Sequence, residues 1–234
     1  MRKAANSFRF PMSRTELLPG AIYVPVHIIV LDFLVPLVMD AVAPSAGYYW
    51  SNFVYFAVSA LFILIVMHSY LRHSFGDLVD CHVDALTGIV VGYFGYYIVR
   101  WLMSLIFWIV GWSGFPAVTG ILSQVRLNSN VMPIVAIILA PLVEEVLFRG
   151  VVFGGLRHKS RLLAYIVAFL VYGFYCVWSR FFSGFGWDLL IDFLYYLPAS
   201  LALCWCYEKG GSIWASVLLH ILINILSISI AITA

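Results

Sequence analysis

Pro141-Leu142-Val143-Glu144-Glu145-Val146-Leu147-Phe148-Arg149-Gly150 sets two adjacent carboxylates and a guanidinium inside an apolar run, about 131 to 156, long enough to cross a bilayer. An Asp, Lys or Arg at the centre of a membrane helix is unfavourable by about 2.5 to 3.5 kcal/mol, so such charges face partners or a wet cavity. This run decides the fold class and marks where function is to be sought.

The surrounding chain agrees. Of its 234 residues 64% are hydrophobic and 10% charged, with a mean hydropathy of +1.01, a balance foreign to soluble domains. A spanning helix needs roughly 20 mainly apolar residues. Seven stretches meet that length: about 20 to 42, 49 to 70, 84 to 110, 131 to 156, 162 to 180, 189 to 207 and 212 to 234. Helices satisfy their own backbone hydrogen bonds, and the short alternating segments of a barrel are not seen. The expected class is an all-α polytopic membrane protein of about seven transmembrane helices. It reads as one membrane domain without internal repeats. The longest loops are expected at 71 to 83 and 111 to 130, the second irregular with Gly111, Gly114, Pro116 and Gly120.

Lys and Arg near the span ends set orientation. With the amino terminus inside, the inner face receives Arg2, Lys3, Arg9, Arg14, Arg72, Arg157, Lys159, Arg161 and Lys209, and the outer face only Arg126 and Arg180. The net charge of +2 follows from this topology and gives no reason to expect nucleic acid as a partner. A cleaved signal peptide is the alternative for the first span, because Ala41-Val42-Ala43 has the small-x-small form of a cleavage site. The apolar run is longer than a signal core, and Asp32 interrupts it.

Glu145 and Arg149 are four apart and share a helix face, where they can pair. Glu144 is rotated by about 100° and lacks that partner, which makes it the candidate general base. In the last span His220 and Asn224 are also four apart. Glu145 lies roughly 18 Å along its helix from Arg157, and His220 roughly 16 Å from Lys209. Both pairs therefore sit at similar depth, and the expectation is one cavity at mid-membrane. A structural ion pair and interhelical hydrogen bonding are the bland readings of these pairs. Asp32 and Arg100 are expected to pair across the first and third spans. Asp188 and Asp192 are assigned to pairing or interface exposure, and His27, His68 and Asp40 to bland positions. Cys81, Cys176, Cys204 and Cys206 have neither disulfide density nor zinc-ligand spacing.

At these residues the chain resembles the CAAX protease and bacteriocin-processing (CPBP) family of intramembrane peptidases. Glu144, Glu145 and Arg149 match its Glu-Glu-x-x-x-Arg motif. His220 and Asn224 match its His-x-x-x-Asn motif, preceded by the familiar Gly211-Ser212-Ile213-Trp214-Ala215. The middle motif, aromatic-x-x-x-His, corresponds to Tyr172-Gly173-Phe174-Tyr175-Cys176, with cysteine in the histidine's place. The likeness covers about 131 to 234, a core of four helices. Residues 1–19 then form a cytoplasmic segment, and 20–130 the accessory helices 1–3 with their loops.

The resemblance implies a multi-pass cell-membrane hydrolase. Glu144 would activate water with support from Glu145 and Arg149, and His220 and Asn224 would orient that water or stabilise the oxyanion. The substrate would be a peptide or small membrane protein, prenylated or secreted. Cys176 faces the same cavity on this reading. No cofactor is expected. Zinc is the lesser alternative, since Glu144, Glu145, His220 and Cys176 are ligand types without diagnostic spacing. A catalytically impaired relative that binds or regulates another membrane protein is the second reading, resting on the lost histidine. A transporter is the third, and would show two symmetric halves.

Overall fold

A computed structural model describes residues 8, 12–112, 131–184 and 186–233. The described residues form helices and no strand: α1 (Arg14–Val42), α2 (Tyr48–Val66), α3 (His68–Asp80), α4 (His82–Ile109), α5 (132–157), α6 (Arg161–Val177), α7 (Trp187–Gly210) and α8 (Ile213–Thr233). Among them α1, α2, α4, α7 and the segment Arg161–Phe182 are long and apolar enough to cross a membrane, and Ile213–Ser229 is a shorter apolar helix. Large apolar side chains such as Ile22, Phe94, Ile98, Leu162 and Leu170 point outward and are exposed. Such a surface belongs in lipid. The chain is a polytopic membrane protein.

The expected loop at 71 to 83 is instead largely helical. Met67 breaks α2, and α3 follows at once, carrying His68, Arg72, His73, Asp77 and Asp80. Its charges suit the interface and not the bilayer core. The expected loop at 111 to 130 falls, from residue 113 onward, outside the described residues, as does most of the amino-terminal segment.

Local chemistry ties the basic ends together. The Ser13 backbone N–H donates to Glu16 Oε2 at 3.1 Å, one arm of a capping box at the start of α1. The other oxygen of buried Glu16 accepts from the Tyr70 N–H at 2.8 Å and so caps the first turn of α3. Glu208 accepts from Arg157 Nε at 2.8 Å and Tyr165 Oη at 2.7 Å, and is bridged by Arg161. This joins α5, α6 and α7.

Two devices set α8. Gly211 takes φ 68°, a left-handed turn that ends α7 and that a Cβ would strain. The Ile213 N–H then donates to Ser74 Oγ at 2.8 Å, Ser212 Oγ to the Ser74 carbonyl at 2.7 Å, and Trp214 Nε1 to the Leu71 carbonyl at 3.0 Å. The helix carrying His220 is thus seated on α3. On the other side α4 packs closely on α7, because a Cβ at Gly88 would lie 3.2 Å from the Cys206 carbonyl oxygen. Small residues are the usual means of close helix approach in membranes.

Candidate active site

The motif helix α5 is not regular. It passes through π-helical stretches at Val135–Leu139 and Glu145–Gly154 and contains Pro133 and Pro141. Proline lacks the N–H of the helical ladder, and π turns recur at functional sites. One backbone group here finds an outside partner: the Ala136 carbonyl accepts from Asn224 Nδ2 at 2.8 Å. Asn224 therefore locks α8 to α5 with one of its two N–H groups.

Glu145 and Arg149 are both fully buried, and Arg149 Nη1 donates to Glu145 Oε1 at 3.1 Å. The same oxygen lies 2.8 Å from His220 Nδ1. The guanidinium also lies over the Tyr172 ring, 4.1 Å from its centroid, a cation–π contact of the kind that gains strength out of water. Glu145 Oε2 and Arg149 Nε and Nη2 have no hydrogen-bond partner among the described residues. The pair is sealed and its two charges depend on one another.

Glu144 faces the other way. Tyr172 Oη donates to its Oε2 at 3.3 Å and Tyr175 Oη to its Oε1 at 3.2 Å, while His220 Nε2 stands 4.0 Å from Oε2. His220 is thus oriented through one ring nitrogen by Glu145 and presents the other toward Glu144. A ring nitrogen fixed by a carboxylate leaves its partner free for chemistry, the logic of base and orienter.

Glu144, His220, Asn224 and Cys176 line a single cavity of about 250 Å³. The structure thus brings all six expected residues to one place, four on the cavity and two behind it. Cys176 makes no hydrogen bond to His220 among the described residues, so a cysteine–histidine nucleophile has no geometric support. Among them, too, no three His, Cys, Asp or Glu residues gather as a metal-holding group.

Two tyrosines that hold Glu144 were missed as site residues, although Tyr172 stands at the aromatic position of the middle motif. His27 is also far from bland. It is fully buried on the π-helical stretch Val26–Val30, with Nδ1 3.0 Å from Ser59 Oγ and Nε2 3.0 Å from Tyr55 Oη. Its ring lies 5.5 Å from that of Tyr175, so α1 and α2 brace the wall behind Glu144. The expected Asp32–Arg100 pair does not form. Arg100 donates to Tyr96 Oη at 2.7 Å and lies over the Tyr195 ring, while Asp32 lines the cavity. Asp188 and Asp192 both pair with Arg180.

Residues 126–226 match the family described as type II CAAX prenyl endopeptidase Rce1-like. The chain is also 27% identical, over 157 residues, to the UPF0177 protein YxdF of Lactococcus lactis subsp. lactis (strain IL1403), covering 58% of this chain and 82% of that one. No solved structure matches it significantly. The resemblance expected from the motifs is borne out by the family match, which spans both Glu144-Glu145-x-x-x-Arg149 and His220-x-x-x-Asn224.

Proposed function

We propose that this chain, whose core is similar to the Rce1-like CAAX endopeptidases, is an intramembrane endopeptidase that cleaves a peptide or small membrane protein through a water activated by Glu144. The observation that carries this reading is the division of labour between adjacent carboxylates. Glu145 is closed off with Arg149 and His220, whereas Glu144 stands at the cavity wall with His220 Nε2 4.0 Å away. That gap is too long for a direct hydrogen bond and suits a water held between the two.

In the step proposed, Glu144 takes a proton from water as the oxygen attacks the scissile carbonyl, and returns it to the leaving amine. The tetrahedral oxyanion is met by His220 Nε2–H when the imidazole is charged, and by the second N–H of Asn224. Preorganised donors of this kind contribute about 100- to 1,000-fold each. Tyr172 and Tyr175 fix the carboxylate's rotamer so that it needs no reorganisation during turnover. No metal enters this scheme.

Cys176 on the cavity wall, where the family motif has histidine, favours a second reading: a relative that binds its partner without cutting it. A purified full-length chain in proteoliposomes, offered a library of membrane peptides, separates the two. Cleavage that disappears in Glu144→Ala and rises in Cys176→His supports the peptidase. Equal peptide binding in all three proteins with no fragments from any of them supports the regulator.

A further inference from the structure

The cavity holds a second carboxylate that the proposed chemistry leaves unused. Asp32 lines it together with Tyr48, Asn52 and Tyr55. No basic side chain pairs with Asp32 among the described residues, and the cation expected for it, Arg100, is engaged by Tyr96 and Tyr195. A carboxylate within a membrane span without a counter-charge needs either water or a cation that arrives with a ligand. Among the charged residues that line this cavity none is Lys or Arg.

Topology sets the direction. Asp32 lies in the half of α1 away from Arg14, Tyr48 and Asn52 in the first turns of α2, and Ser179 just beyond α6, whose basic start is Arg161. The cavity therefore runs from Glu144 toward the face opposite the basic ends. Asp32 stands on that path, beside tyrosine rings that favour a cation over their faces.

We infer that Asp32 is a substrate-specificity residue: it receives a positively charged side chain of the segment whose backbone is delivered to Glu144. This inference rests on the peptidase reading for its consequence, but the subsite can be measured apart from cleavage. The carboxylate accepts from the ammonium or guanidinium of a Lys or Arg, and the aliphatic stem lies along the tyrosine rings.

The test uses the full-length chain in nanodiscs, bearing Glu144→Gln so that bound peptide is not consumed. Three apolar membrane peptides are compared, identical except for a single Lys, norleucine or Glu. The Lys peptide is expected to bind about tenfold tighter than the norleucine peptide, a partly desolvated charge pair lying between exposed and buried cases. The near-isosteric Asp32→Asn is expected to erase that preference, and Asp32→Lys to transfer it to the Glu peptide. Equal affinity for Lys and norleucine, or a preference that survives Asp32→Asn, overturns the inference. With Glu144 restored, cleavage without Lys preference would sink the subsite alone. Lys-selective binding without cleavage would sink the peptidase alone.

Discussion

At the scale of residues the site is built from two neighbours with opposite fates. Glu144→Gln keeps a shape that both tyrosine hydroxyls can still meet, so it is expected to abolish fragment release while the thermal midpoint in detergent stays unchanged. Arg149 answers differently. Removing it takes the permanent counter-charge from buried Glu145 and leaves only His220 as its partner, and Arg149→Leu is expected to lower stability by about 3 to 5 kcal/mol. The double variant Glu145→Gln, Arg149→Leu should lose clearly less than the sum of the single losses in a denaturation cycle. Tyr175→Phe removes one hydrogen bond to a charged group, worth about 1.5 to 3 kcal/mol. If the tyrosine positions the base, that loss is expected in kcat with KM little changed.

At the scale of helices, position depends on contacts remote from the motif. α8 is held by Ser212 and Trp214 on α3, and Ser212→Ala with Trp214→Phe deletes the bonds that seat its start on α3. Both carbonyls keep their helical partners within α3, so each lost bond should cost about 0.5 to 1.5 kcal/mol. The measurable result is faster proteolysis near the α7–α8 turn and a fall in activity without any change at the cavity wall. Gly88→Leu is expected to be worse, since its side chain would meet the α7 backbone and push that helix off α4. Such variants should be recovered in low yield and with loosened α4–α7 cross-linking.

At the scale of the molecule, much of the site was legible because short spacing on a helix fixes a shared face. Glu145 with Arg149 and His220 with Asn224 needed only the i, i+4 rule, and equal depth needed only helical rise. What the spacing did not reveal lies across helices. Arg100 had tyrosines within reach and did not need Asp32. His27 looked isolated in sequence but meets Tyr55 and Ser59 on α2, partners 28 and 32 positions away. α3 was hidden because its polar residues read as a loop when only long apolar runs are sought. Orientation is tested at this scale too. Exposed Cys81 joins α3 to α4 at the basic end. With the amino terminus inside, a membrane-impermeant maleimide should label Cys81 of a Cys176→Ala variant in everted vesicles and not in intact cells. The reverse pattern would invert the proposed topology.

The central claim concerns which side chain starts the chemistry. It is tested most directly by single-turnover cleavage of one membrane peptide by the unaltered protein, Glu144→Gln and Cys176→Ala, all reconstituted at equal folded amounts. The expected result is fragments from the unaltered protein and from Cys176→Ala, with none from Glu144→Gln. Fragments from Glu144→Gln at the unaltered rate would contradict it.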